Sequence, residues 1–271
     1  KHTAPVWSAV FSKDGTQILS TSADQTILLY STHTGDIIHS WDASKDEVRQ
    51  AYFSYSGDEV IMSTNRDGLF IYDRISGDFI GEYHKNYSVA YQKGVVSPDG
   101  LKLLTTSSYK GAEVIDLKTK DTLLNIPFDK VYGMEFSPDG KKIALSSSKQ
   151  FAKIYSAETG KEIAHLVDPD SEERCDGCHT KQAWSNNSKY LLTMSNKIDA
   201  ILWDAQSGKK ITSLSDIRYR PTVIRFTPDD SHLIFNIRST VYAINLKSKK
   251  ITLEVKHDKL DYFDINISAD G

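Results

Sequence analysis

Apolar and polar positions along this chain change places in short bursts, four to six residues long and cut off by turn residues. Gln17-Ile18-Leu19-Ser20, Thr26-Ile27-Leu28-Leu29-Tyr30 and Asp36-Ile37-Ile38-His39-Ser40-Trp41 read as three strands separated by ADQ and THTGD turns. No stretch keeps the 3.6-residue apolar period of a helix for a useful length. The pattern predicts an all-β chain.

The bursts repeat. An anchor residue followed by a Ser- or Thr-led turn recurs at Phe11 (FSKDG), Phe53 (FSYSG), Val96 (VSPDG), Phe136 (FSPDG), Trp184 (WSNNS), Phe226 (FTPDD) and Ile267 (ISADG), at spacings of 42, 43, 40, 48, 42 and 41 residues. Nineteen residues after the first five anchors stand Tyr30, Tyr72, Ile115, Tyr155 and Trp203, and eighteen after Phe226 stands Ile244. A second turn then follows: THTGD, RISGD, LKTKD, AETGK, AQSGK and NLKSKK. Each unit is therefore four short strands, here a, b, c and d, with the anchor closing strand a. A lone unit of this size cannot bury both faces, whereas stacked units bury one another, which is the logic of a β-propeller.

The run of SPDG, then ILSTSADQTILLY, then TGD, with Tyr72-Asp73 and Trp203-Asp204 closing strand c elsewhere, resembles the WD40-repeat family over essentially the whole chain. The resemblance implies a β-propeller of four-stranded antiparallel blades. Six complete blades are expected at about 1–42, 43–84, 85–127, 128–168, 169–215 and 216–256. A partial seventh at 257–271 would make the chain a single propeller segment of a longer protein. The family also implies a bonded network in each blade. In the first repeat its members are His2, Ser20 or Ser22, Asp24, and Tyr30 in place of Trp; repeats three to six have no matching Asp.

Composition narrows the function classes. The chain has 271 residues and a net charge of -3, so whole-domain attraction to nucleic acid is not indicated. No apolar run approaches the roughly 18 residues that span a bilayer, and no membrane partner is expected. Two cysteines exclude a disulfide framework and fit a reducing compartment, cytoplasmic or nuclear. GxSxG, P-loop, HExxH and GxGxxG motifs are absent from the sequence, so no enzyme is expected.

Both cysteines fall in Glu173-Arg174-Cys175-Asp176-Gly177-Cys178-His179. Cys-x-x-Cys-His is the spacing that attaches c-type haem, but a lengthening of about six residues between strands d and a cannot wrap a porphyrin. Zinc held by Cys175, Cys178 and His179 is the other metal reading, although one CxxC is half of a four-ligand set. A reversible disulfide and an exposed loop without a shared task complete the alternatives. No cofactor is the preferred expectation.

Two surface features point to partners. The same loop carries Asp168, Asp170, Glu172, Glu173 and Asp176, a contact for a basic partner. The b-to-c turns of repeats two to six present Arg66, Lys110, Lys149, Lys197 and Arg238, a series suited to an acidic or phosphorylated peptide. The favoured function is a non-catalytic scaffold that docks proteins or peptides on the loop-bearing rim. Its rival is a redox or metal-binding propeller built on the CxxCH loop.

Overall fold

A computed structural model describes residues 1–12, 14–42, 48–54, 57–64, 69–83, 94–107, 111–129, 131–147, 152–167, 181–194, 200–214, 223–237 and 239–256. Among them the chain forms strands and no helix, arranged as six four-stranded antiparallel sheets, each following chain order. Sheet one holds β1 (Val6–Phe11), β2 (Gln17–Ser22), β3 (Thr26–Ser31) and β4 (Ile37–Asp42). Sheet two holds β5 (Val48–Phe53), β6 (Glu59–Thr64), β7 (Leu69–Asp73) and β8 (Phe79–Tyr83). Sheet three holds β9 (Gly94–Val96), β10 (Lys102–Ser107), β11 (Gly111–Asp116) and β12 (Thr122–Ile126).

Sheet four comprises β13 (Val131–Phe136), β14 (Lys142–Ser147), β15 (Ala152–Ser156) and β16 (Glu162–Leu166). Sheet five comprises β17 (Lys181–Trp184), β18 (Tyr190–Met194), β19 (Ala200–Asp204) and β20 (Lys210–Leu214). Sheet six comprises β21 (Ile224–Phe226), β22 (His232–Ile237), β23 (Thr240–Asn245) and β24 (Lys250–Lys256). The chain divides into two compact units, Lys1–Asn125 and Ile126–Gly271. The six sheets fall one to each of the first six repeats; residues 257–271, expected to begin a seventh, lie outside the described residues.

The turns explain the period. After five of the anchors, Ser12, Ser97, Ser137, Ser185 or Thr227 accepts the backbone N–H five residues on and donates to a side chain two residues on, as Ser12 does to Asp14 at 2.6 Å. This Asx-type closure caps the a-to-b hairpin with side chains that the local sequence supplies. The turn's fourth residue takes a positive φ in every sheet, at Gly15, Gly57, Gly100, Gly140, Ser188 and Asp230.

In unit 1, Leu19, Ile27, Leu29 and Trp41 of sheet one pack on Val48, Ala51, Val60 and Met62 of sheet two. Sheets two and three meet through Ile61, Leu103, Ile115 and Leu117. In unit 2, Ala144, Ile154 and Leu166 of sheet four meet Trp184, Leu191 and Trp203 of sheet five. Leu192, Leu202 and Leu214 then meet Phe226, Leu233 and Phe235 of sheet six. Full burial of one such side chain is worth about 1.5–3 kcal/mol, so these junctions carry the stability of each unit.

Polar contacts fix the relative placement of neighbouring sheets. Trp41 Nε1 donates to Gly77 O at 2.9 Å and His39 Nε2 to Ile75 O at 2.8 Å, which ties β4 to the c-to-d turn of sheet two. In unit 2 the Asp230 carboxylate accepts from the backbone N–H of Asn186 at 2.7 Å and of Asn187 at 2.9 Å, joining the a-to-b turns of sheets five and six. Lys142 Nζ reaches Ser188 O at 3.1 Å and does the same for sheets four and five.

Candidate functional site

In an antiparallel four-strand unit the b-to-c turn and the segment before strand a lie at one end, and the a-to-b and c-to-d turns at the other. At the first end of sheet one, the segment before β1 places His2 against the turn between β2 and β3. His2 Nδ1 lies 3.1 Å from Asp24 Oδ2 and 2.9 Å from Thr26 Oγ1, while Nε2 lies 2.7 Å from Ser20 Oγ. An ionised carboxylate only accepts, so Nδ1 carries the proton toward Asp24. The side chains of His2 and Asp24 are 7% and 9% exposed.

Asp24 also accepts from Thr3 N–H at 2.7 Å, Thr26 N–H at 3.0 Å and Thr26 Oγ1 at 2.6 Å. Burial works to raise its pKa, but these donors and the charge of His2 outweigh it and hold the carboxyl far below the usual carboxylate range. Ser22 belongs to the same corner, donating to Ala4 O at 3.0 Å and accepting from Asp24 N–H at 3.1 Å. Tyr30 lies on β3 paired with Ile18 and Ile37, and the bonds at His2 come from Ser20, Asp24 and Thr26. The network pins the chain ahead of β1 to its own sheet; it has the geometry of a staple.

Sheet five holds the complementary part of such a network. Trp203, fully buried, donates its indole N–H to Thr193 Oγ1 at 2.7 Å. Thr193 stands nine residues after its anchor, as Ser20 does, and Trp203 nineteen, as Tyr30 does. Sequence comparison of the repeats singled out neither Thr26 nor Thr193, because a hydroxyl in a strand is common and only its partner makes it distinctive.

Arg66, Lys110, Lys149, Lys197 and Arg238 all lie outside the described residues, as do Asp168, Asp170, Glu172, Glu173, Asp176, Cys175, Cys178 and His179. Among the described residues no group of three or more His, Cys, Asp or Glu side chains is placed to hold a metal ion.

The other end of the sheets, overlooked in the sequence, holds a concavity in unit 1. It has a volume of about 370 Å³ and is walled by Phe11, Tyr52, Phe53, Val96 and Pro98, with Ser54 and Ser97 at its polar edge. Three of the wall residues are repeat anchors, which periodicity alone reads as core. Phe11 is instead 65% exposed, against 4% for Phe136 and 6% for Trp184 and Phe226 at the same repeat position.

Unit 2 carries a half-buried acid. Glu135 on β13 pairs across the ladder with Ala144, and Ala144 O accepts from Gln182 Nε2 at 3.1 Å. Directly opposed residues share a sheet face, so Glu135 points with Ala144 toward sheet five. Its Oε2 and the Oε1 of Gln182 are shut from solvent without a hydrogen-bond donor. Burial pushes the Glu135 carboxyl up to about 7, with Arg225 of β21 opposing the shift.

Parts of known proteins are similar to this chain. A family model described as "WD domain, G-beta repeat" matches residues 1–31, which span the His2 corner and the first three strands. The chain is 22% identical over 263 residues to a mouse (Mus musculus) U3 small nucleolar RNA-associated protein 18 homolog, covering 94% of this chain and 46% of that protein. It is 23% identical over 223 residues to the COMPASS component SWD2 of Saccharomyces cerevisiae, covering 82% of this chain and 68% of the relative. Periodic tryptophan protein 2 of the same yeast is 25% identical over 171 residues, covering 60% of this chain and 18% of the relative. The chain thus spans about half the length of the first of these and less than a fifth of the third. The matched first repeat is followed by five further sheets on the same strand-and-turn plan, so the chain is similar along its length to WD-repeat proteins.

Proposed function

We propose that this chain is a non-catalytic interaction module that holds protein partners within a larger assembly. The observation that carries the reading is its likeness along 82% of its length to a protein named as a component of COMPASS. Likeness to a protein named for association with a small nucleolar RNA points the same way, toward a role inside an assembly. The physical support is rigidity: turns closed by their own side chains and clamped sheet to sheet present loops at low entropic cost, which favours recognition.

At finer grain, Arg66, Lys110, Lys149, Lys197 and Arg238 would receive an acidic or phosphorylated peptide. The motive is their common repeat position and the bidentate chemistry of guanidinium groups. Native affinity purification of the full protein, followed by mass measurement in solution, tests the coarse reading. A stoichiometric protein partner is expected, and elution as a lone monomer at every salt concentration would refute it. Replacing Arg66, Lys149, Lys197 and Arg238 together by Glu tests the finer one: undiminished partner binding removes the basic series from the interface.

A further inference from the structure

We propose that Glu135, Gln182 and Trp184 together bind one internal water molecule at the junction of sheets four and five. The site belongs to the interior of unit 2 and does not depend on the reading of the chain as a docking module. It starts from three polar atoms that are shut from bulk solvent and have no partner in the protein: Glu135 Oε2, Gln182 Oε1 and Trp184 Nε1. Buried tryptophans usually give the indole N–H to an acceptor, as Trp41 does to Gly77 O and Trp203 to Thr193 Oγ1. Trp184, 6% exposed, gives its own to no protein atom. A buried polar group left in that condition calls for a physical account.

Ala144 of β14 is the residue that the three side chains have in common. Glu135 stands directly across the ladder from it, which puts their Cβ atoms about 4.5–5.5 Å apart on the face toward sheet five. Gln182 crosses from β17, and its Nε2 donates to Ala144 O at 3.1 Å. That bond also fixes the amide: turning its NH2 toward Glu135 would give up the carbonyl of Ala144, so Oε1 stays an acceptor. Trp184 follows Gln182 by two residues on the same strand, so both side chains leave the same face of β17. Trp184 packs in the buried cluster that contains Ala144.

The balance of donors and acceptors selects the ligand. Two oxygens need donors and one N–H needs an acceptor. A cation offers the indole no acceptor, and an anion offers the oxygens no donor. A proton on Glu135 would let the acid donate to the Gln182 oxygen, but it would leave the indole unserved. Water donates twice and accepts as well, so a single molecule serves all three atoms. Internal waters typically make about three hydrogen bonds and occur about once per 27 residues, so one in unit 2 matches the ordinary pattern. It would tie β13 to β17 through solvent, whereas Lys142 and Asp230 join neighbouring sheets directly.

The test uses the full chain, isotope-labelled in nitrogen, with the Trp184 indole signal identified by its loss in Trp184→Phe. Water-selective NOE and ROE spectra should give that indole a water cross peak of opposite sign in the two, the mark of a water that is held rather than passing. Relaxation dispersion of the water oxygen follows whole water molecules and is blind to exchanging side-chain protons. It should count one long-lived water fewer when Glu135→Leu and Gln182→Leu are combined, and the indole cross peak should be lost with it. Far-UV circular dichroism checks that this double variant keeps its sheets; if it does not, the wild-type spectra decide alone. A wild-type indole with no water cross peak overturns the proposal, and a Glu135 acid bonded straight to Gln182 gives that result. An equal count of long-lived waters in the folded double variant overturns it too.

Discussion

Trp203 and Thr193 are joined by a 2.7 Å hydrogen bond sealed inside sheet five, with the indole fully excluded from solvent. The bond crosses from strand c to strand b, so it fixes both the register of the pair and the tilt of the largest side chain at that junction. Thr193→Val keeps the shape and removes the acceptor, leaving a buried N–H without a partner. A loss of about 1–3 kcal/mol in urea unfolding is expected. A midpoint unchanged within error would show that the hydroxyl contributes nothing.

Asp24 makes stability depend on pH in acid. Its pKa is depressed in the folded chain relative to the ordinary 3.8, so its contribution is complete above that value and is lost as pH falls below it. Asp24→Asn should therefore lower the melting temperature at pH 7 and at pH 5 by similar amounts. The gap to wild type should close progressively below about pH 4. Melting curves at half-unit pH intervals check this, and a gap that stays constant down to pH 2 contradicts the assignment.

Glu135 acts with the opposite sign. Its pKa is raised to about 7 from an ordinary 4.5, so the folded chain holds a proton that the unfolded chain releases between those values. Stability from this group is present at pH 4.5 and below and drains away as pH rises toward 7. Glu135→Gln, which keeps the shape without the charge, should be close to neutral at pH 4.5 and stabilising at pH 8, by up to ~3 kcal/mol. A variant less stable than wild type at pH 8 would mean that Arg225 rewards the ionised form more than burial penalises it.

Gly77 separates two costs of a side chain. At φ +77° a Cβ there would come within 2.8 Å of His39 Nδ1, whereas at Gly35, φ +74°, it would meet nothing within 4 Å. Gly35→Ala should cost about 1 kcal/mol from backbone conformation alone. Gly77→Ala should cost more, because His39 must shift from its bond to Ile75. Equal losses in denaturant titrations would show that His39 moves aside freely.

The repeat was legible because its information is local. Alternation along Thr26 to Tyr30, the Ser12 and Asp14 closure of one hairpin and the TGD turn each act over a few residues, so sequence alone orders strands and turns and predicts the six sheets. His2, 18 and 22 residues from Ser20 and Asp24 in the chain, meets them because the segment before β1 folds back onto the turn after β2.

Other features depend on which surfaces meet. Phe11 and Phe226 hold the same place in their repeats, yet one is 65% exposed and the other 6%. Glu135 looks like any strand glutamate until pairing with Ala144 turns it toward sheet five, where its Oε2 is cut off from bulk water and from any donor in the protein. The sequence by itself determined the secondary structure and the period, because hydrogen-bonded hairpins and turn chemistry need only neighbours in the chain. Tertiary structure alone decided which anchors are core and which line a concavity, and which carboxyl is driven toward neutrality. Burial and desolvation are properties of the space between sheets, which no single repeat encodes.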